Sequence, residues 1–297
     1  MRIANAPCSW GVLEFELEGE AAGYGRVLDE MRAAGYTGTE LGDWGFMPTE
    51  PEELAAELTG RELEMLGAFV PVDFSDREAH EPGAERAVRT ARLLAAVAEA
   101  PVVVLADENG KDPVRTRHAG QIRPGQGLDE AGWRAFAEGV EVVARAVMSA
   151  TGVRTVFHHH CAGFIETSAE VETLMVRTDP ELVGLCFDTG HYAFGGGDPI
   201  EGIRKHAGRI RHVHFKDHDP QIAALAVDSG WGYFEAVRRG IFCELGRGDV
   251  DFRGVLRELD RIGYNGWIVV EQDVLPGMGS PAESAARNRT FLRELGL

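Results

Sequence analysis

The sequence predicts an α/β protein, a closed (β/α)8 TIM barrel in a single domain over residues 1–297. Three observations predict it. Short apolar runs alternate with longer amphipathic ones, eight of each. No Ser/Pro linker, low-complexity stretch or break in composition marks a domain boundary, and α/β barrels of about 200–250 residues form one unit. The first apolar run leads into Pro7-Cys8-Ser9-Trp10-Gly11 rather than the glycine fingerprint of a dinucleotide-binding open sheet.

Taken in order, the strands are expected at 3–6, 38–41, 65–70, 102–106, 155–158, 184–188, 210–215 and 267–271. The helices are expected at 21–34, 51–61, 82–98, 129–150, 168–176, 199–207, 252–262 and 281–295. Pro51, Pro199 and Pro281 stand at or near first-turn positions, where a missing N–H breaks no intrahelical bond. Gly35, Gly152 and Gly263 follow periodic runs as helix stops. Phe136, Val140, Val143 and Val147, three and four residues apart, give 129–150 one buried face. Residues 217–248 are too long for a simple connection after the seventh strand. They carry helical patterns near 223–227 and 233–239, so this insertion is expected to fold over the top of the barrel. Gly195-Gly196-Gly197 precedes Asp198 rather than a Lys-Ser/Thr pair and is no phosphate loop.

Composition narrows the partners. The chain has 30 Lys+Arg and 48 Asp+Glu, a net charge of −18, which opposes nucleic acid as the main partner. No apolar run approaches the ~20 residues that span a bilayer, so no membrane partner is expected. The opening MRIANAPCSW lacks the basic start and apolar stretch of a secretion signal. Cys8, Cys161, Cys186 and Cys243 lie far apart with no CxxC pair, which reads as reduced thiols in the cytoplasm. The composition is compatible with a homo-oligomer.

In such a barrel the chemistry belongs at the C-terminal ends of the strands, and polar residues concentrate there. Strand two ends at Glu40, strand five in His158-His159-His160, strand six in Asp188 with His191 just beyond, and strand eight at Glu271. Strand seven reads His212-Val213-His214-Phe215-Lys216-Asp217. Alternation places His158 with His160, and His212 with His214, on one face each. One residue from each of four successive strand ends gives a ligand set of His158, Asp188, His214 and Glu271. Oxygen and nitrogen donors without thiolate suit a divalent metal, Mn2+ or Co2+ first and Mg2+ or Zn2+ also, over iron–sulfur or Cu(I). Any one of these residues alone has an ordinary structural explanation as a barrel-end ion pair or a satisfied core histidine; four at one barrel end point to a metal.

Trp10, Trp44 and Phe46 are placed to wall a sugar-sized pocket, with rim packing as their alternative. Cys161 and Cys186 are read as small apolar fillers. The acidic runs 14–20 and 50–53 are read as solvated faces. Glu244 either reaches the site or caps the insertion, and Arg115, Arg117 and Arg123 form a basic loop segment, either contacting an anionic substrate or lying on the surface.

Asp188-Thr189-Gly190-His191, the 212–217 segment, Gly-Arg-Gly-Asp-Val-Asp-Phe at 246–252 and Gly-Trp-Ile-Val-Val-Glu at 266–271 together resemble the xylose-isomerase-like barrel superfamily of sugar isomerases and epimerases. Within it, the triple histidine, Gly38-Thr39-Glu40-Leu41-Gly42 and Ala6-Pro7-Cys8-Ser9-Trp10 look most like the inosose dehydratases of inositol catabolism. The resemblance covers essentially the whole chain. It implies that three positions, Asp188, His214 and Glu271, match the metal ligands of the epimerase branch, whereas His158 replaces the glutamate used there for proton transfer. That departure points to dehydration of a keto-polyol such as scyllo-inosose through an enediolate.

In that reading His191 is the expected base. Lys216 is the expected oxyanion holder or acid, and Glu271 an alternative base. Glu40 and His160 bind substrate hydroxyls or orient the ligands, and Trp10 contributes to the pocket wall. A ketose isomerase or epimerase and a lyase or hydratase of 3-keto-glycosides use the same site chemistry. A DNA-repair endonuclease is opposed by the charge and by the carboxylates and histidines its three-metal site needs. A non-catalytic sugar-binding module would not need the metal ligands.

Overall fold

A computed structural model describes residues 1–11, 22–273, 275 and 277–297. The acidic run 14–20 lies outside them. Eight parallel strands close on themselves: Arg2–Asn5, Gly38–Glu40, Glu64–Val72, Val102–Asp107, Arg154–His158, Val183–Asp188, Ile210–Phe215 and Trp267–Val270. Each neighbours the next in sequence, and the first pairs with the eighth in the register Arg2 to Trp267 through Asn5 to Val270. Every end lies within two residues of the sequence expectation. The strands read as nearly continuous apolar runs because both faces are covered, one by the barrel interior and one by helices. Val183–Asp188 is buried at every position.

The outer layer is Tyr24–Ala34, Pro51–Thr59, His80–Val97, Glu130–Thr151, Ser168–Arg177, Pro199–Lys205, Phe252–Arg261 and Pro281–Glu294. Their starts are set by local chemistry. Asp129, Asp198, Asp251 and Ser280 accept backbone N–H groups as N-caps, and Thr167 with Glu170 forms a capping box. The expected stripe of Glu130–Thr151 is buried, and Phe136 meets Phe74 and Phe157 at ring separations of 5.3 and 5.8 Å. Two short helices, Pro113–Arg117 and Thr189–Phe194, were not legible from periodicity, since one or two turns carry no repeat.

A hydrogen-bonded seam runs where the first and eighth strands meet. Ser9 Oγ donates to Asn5 Oδ1 (2.7 Å) and Gln272 N–H to Ser9 Oγ (3.2 Å). Asn288 Nδ2 donates to Gln272 Oε1 (2.8 Å), and Leu245 N–H to Asn288 Oδ1 (2.9 Å). Between strands seven and eight the chain forms a two-residue antiparallel pair, Asp217–His218 with Phe242–Cys243, enclosing helices Pro220–Ser229 and Tyr233–Arg238. Tyr233, Val237, Ile241 and Phe242 pack on Cys161 and Phe194 in an apolar cluster separate from the main core. No described helix is long and apolar enough to cross a membrane.

Candidate active site

The ends of strands five to eight bring His158, Asp188, His214 and Glu271 together, with one donor atom of each within 4.8 Å of all the others. His214 Nδ1 lies 3.2 Å from Glu271 Oε1 and 3.9 Å from Asp188 Oδ2, and His158 Nε2 lies 3.6 Å from Asp188 Oδ2. Donors bound to one ion at about 2.0–2.2 Å stand roughly 3–3.7 Å apart. His158 Nε2, Asp188 Oδ2 and His214 Nδ1 are buried with no hydrogen-bond partner, the 3.2 Å approach of Glu271 lacking hydrogen-bond geometry. Buried polar atoms are rarely left this way. One cation at the shared point satisfies all three, so these residues fit a divalent metal. Cys186 also approaches the two histidines, but burial pushes its thiol up to about 12, which leaves it a protonated filler.

Local structure explains why each donor points inward. Asp188 caps the Thr189–Phe194 helix, its Oδ1 accepting His191 N–H at 2.7 Å, which leaves Oδ2 for the centre. His159 faces the helix layer between Phe187 and Tyr192, and its Nε2 accepts the Asp188 N–H at 3.2 Å. Burial first, then the charge of His158, pushes His159 down to about 3 and keeps it a neutral acceptor. Thr189 Oγ1 donates to the Lys216 carbonyl (2.7 Å) and accepts the Lys216 N–H (3.0 Å). A Cβ on Gly190 would stand 2.7 Å from the Lys216 side chain, so only glycine passes there. The Asp-Thr-Gly-His run is thus a cap, a tie, a gap and a contact in successive positions.

Glu40 crosses the barrel interior to strand seven. Its Oε1 accepts from His212 Nε2 at 2.7 Å and from His214 Nε2 at 2.9 Å. Burial pushes His214 down, but its acidic neighbours outweigh that and hold the ring charged; with the Nε2 proton kept by Glu40, a metal displacing the Nδ1 proton would meet a lone pair there, in a carboxylate–histidine–metal arrangement. Burial alone would raise Glu40, but the charge of His214 and both hydrogen bonds outweigh it and hold the carboxyl at about 2. Burial likewise pushes against the Asp188 and Glu271 carboxylates. His158 and Lys216 at Asp188, and His214 and Lys216 at Glu271, keep both below their ordinary range.

A cavity of about 610 Å³, counting its open mouth, borders the cluster. Glu40, His158, His160, Lys216, Glu271 and Asp273 all line it. Burial would discharge Lys216, but Asp273, Glu271 and Asp188 hold it well above its ordinary value as an ammonium. Its Nζ lies 3.2 Å from Glu271 Oε2, 3.4 Å from Asp273 Oδ1 and 3.3 Å from His191 Nε2. His160 donates from Nδ1 to the Cys161 carbonyl (2.6 Å), while its Nε2 faces the Tyr233 hydroxyl at 3.4 Å. Burial, then His158 and Lys216, pushes His160 down to about 3, so it is neutral.

Several expected residues lie elsewhere. Trp10 does not line the cavity: it is buried beside the first strand and its indole N–H donates to Glu30 at 2.7 Å. His191 is fully buried and does not line it either, lying beneath His160 at a ring separation of 3.9 Å. Trp44 is half-exposed under Arg89, and Phe46 packs on the main core. Glu244 binds Ser284 and Arg287 away from the cavity. Arg115 is buried in a bidentate pair with Glu170, at 2.8 and 2.9 Å. Asp273, Asn109, Asp43 and Tyr233 line the cavity unanticipated. Alternation from Glu271 would have found Asp273; Asn109 and Asp43 stand on loops whose path no periodicity encodes, and Tyr233 opens a helix of the insertion whose docking on the barrel no periodicity encodes.

The model of the xylose isomerase-like TIM barrel family matches residues 28–295. An inosose dehydratase from Geobacillus kaustophilus (strain HTA426) is 31% identical over 294 residues, covering 99% of this chain and 94% of that relative. Among solved structures, an L-ribulose 3-epimerase superposes with a TM-score of 0.71 at 20% identity, covering 99% and 94% of the two chains. The IOLI protein with a binding zinc atom superposes with a TM-score of 0.70 at 16% identity, covering 99% and 98%.

Proposed function

The chain belongs to the xylose isomerase-like TIM barrel family, and from that membership we propose that it is a hydro-lyase removing water from a keto-polyol of the inosose type. One observation carries this reading beyond the fold. The cavity sets a neutral imidazole, His160, and a charged ammonium, Lys216, at the mouth of one four-donor cluster. β-Elimination needs that pair: a base for the proton beside the carbonyl and an acid for the departing hydroxyl.

His158, Asp188, His214 and Glu271 would hold a divalent ion, whose contribution is Lewis-acid polarisation of the substrate carbonyl. The Cys161 carbonyl fixes the His160 proton on Nδ1, so that the Nε2 lone pair, met by the Tyr233 hydroxyl at 3.4 Å, would take the α-proton. The C–H electrons pass into the adjoining carbon–carbon bond, and the β C–O bond breaks. Lys216 supplies the proton with which hydroxide leaves as water, and the proton taken up at His160 then returns to Lys216. The role of base thus moves from His191 to His160, because His191 does not line the cavity. His191 positions Lys216 instead, its ring lying 3.3 Å from the ammonium. Glu40 orients His214, and Asp273 keeps Lys216 charged.

An epimerase working at the same site would need a second base on the opposite face of the substrate. Glu271 is engaged there by Lys216 and by its place in the donor cluster, and His158 stands where the epimerase branch has a carboxylate. Incubation of the Mn2+-, Co2+- or Zn2+-loaded protein with scyllo-inosose and with ketohexoses tests the proposal. The expected result is loss of one water from the inosose mass with new ultraviolet absorbance of a conjugated dione. Conserved mass with a changed sugar would assign an epimerase or isomerase instead. The four unpaired thiols suit a reducing cytoplasm, and an uncharged polyol suits a strongly acidic chain.

A further inference from the structure

Asp217 is fully buried beside Lys216, at the point where the chain leaves strand seven for the insertion. Its carboxylate accepts four backbone N–H groups. Oδ1 takes His218 (2.9 Å) and Val250 (3.2 Å); Oδ2 takes Gly246 (2.8 Å) and Gly248 (2.9 Å). His218 lies on the outgoing limb and the other three on the returning limb, so one side chain fastens both ends of the segment. The backbone bond from Asp249 N–H to the His218 carbonyl (3.1 Å) lies alongside. A Cβ on Gly248 would stand 2.2 Å from the His218 carbonyl oxygen and 2.4 Å from Asp217 Oδ1, and Gly246 has φ +82°. The Gly-Arg-Gly-Asp motif is therefore the backbone shape that wraps this carboxylate.

Between the fastened limbs the insertion carries two residues to the cavity side. The Tyr233 hydroxyl stands 3.4 Å from His160 Nε2, and Lys216 Nζ lies 4.7 Å from the Phe242 ring centroid. Each touches one partner of the proposed acid–base pair. We propose that Asp217 is a positioning residue: by pinning both limbs of the insertion it holds Tyr233 against His160 and Phe242 against Lys216. The roles of His160 and Lys216 rest on the reading of the preceding subsection; the clamp itself does not.

The isosteric Asp217→Asn tests it, because an amide oxygen accepts only part of the four N–H groups while its NH2 faces the rest. Arg238 and Arg239, with side chains 53% and 56% exposed, report the state of the insertion to trypsin. We expect cleavage there to rise roughly tenfold or more with the barrel intact by circular dichroism, because local opening sets the rate. With scyllo-inosose as substrate, kcat should fall while the Mn2+ affinity measured by calorimetry stays unchanged. Adding Asp217→Asn to Tyr233→Phe should cost kcat less than it costs the wild type, since part of the clamp's effect runs through Tyr233. Unchanged cleavage, or fully additive effects on kcat, would overturn the proposal.

Should Asp217→Asn not fold, amide exchange on the wild type decides. The amides of 246, 248 and 250 should open together with 219–241 as one unit, and their independent fast exchange would sink the clamp. Proteolysis and exchange need no substrate, so a failure of the dehydratase reading leaves the clamp separately testable.

Discussion

Replacing Glu40 with glutamine should weaken metal binding without touching a metal ligand. One buried oxygen, Oε1, accepts from both His212 (2.7 Å) and His214 (2.9 Å) and carries the negative charge that fixes the His214 tautomer. Hydrogen bonds to an ionised acceptor are about twice as strong as neutral ones, and glutamine keeps the acceptor while removing the charge. Its NH2 also enters a pocket where both neighbouring ring nitrogens are donors. Loss of such an outer partner typically costs about 10–100-fold in metal affinity, or about 1.4–2.8 kcal/mol. Titration of Mn2+ or Zn2+ by calorimetry, with a competing chelator where binding is tight, reads this directly. Glu244→Gln is the control, since Glu244 meets Ser284 and Arg287 away from the centre. Activity should fall at limiting metal and recover substantially when metal is in excess. Wild-type affinity in Glu40→Gln would show that Glu40 does not orient His214, and the proposed geometry of the centre would fall with it.

Other consequences are equally open to measurement. His160→Gln should lower kcat by about 100-fold or more while metal affinity holds, as expected for loss of a general base; a variant with normal turnover would return that role to another group. His159 is pushed from 6.5 down to about 3 in the fold. The unfolded chain therefore binds a proton between those values that the folded chain refuses, and stability from this group is full above 6.5 and falls toward pH 3 by about 1.4 kcal/mol per unit. Denaturant midpoints at several pH values should show a flatter slope in His159→Gln. Arg115→Ala removes the cation paired with Glu170, leaving that carboxylate only its capping bonds, and takes the donor from the Gly163 carbonyl; it should destabilise by about 3 kcal/mol in chemical denaturation, and a loss under about 1 kcal/mol would show that the pair is dispensable. Stripping metal with a chelator should lower the melting temperature, and restoring the ion at about 100-fold over its Kd should return about 2.7 kcal/mol.

Strand positions were legible because burial on both faces leaves a direct imprint: Val102–Asp107 and Val183–Asp188 have no charged or strongly polar residue before the aspartate at the chemically active end. The proposed donor set drew on the same imprint, since His158, Asp188 and Glu271 each stand where an apolar run stops. Orientation was not legible. Both His160 and His191 follow strand ends, yet a six-residue helix capped by Asp188 carries His191 underneath while His160 stays at the surface of the cavity. Trp10 was misplaced because a 3-10 turn over Pro7–Trp10 rotates its ring to Glu30. Tyr233 reaches the cavity only through the insertion, whose path depends on a single buried carboxylate and two glycines rather than on any repeat.

The seam between the first and eighth strands bears on how the molecule is made. During synthesis the first strand emerges early, but its partner edge, beginning at Trp267, emerges last of the eight. Until then Arg2–Asn5 presents one unpaired edge to the cell, the kind of surface that invites non-native pairing. Glu271, Gln272 and Asp273 arrive with that same final strand, and Asn288 follows on the helix behind it. Ring closure, the last donor of the proposed metal centre and the seam that locks them therefore become available in a single late step, so a nascent chain cannot assemble the full donor cluster before its barrel is shut.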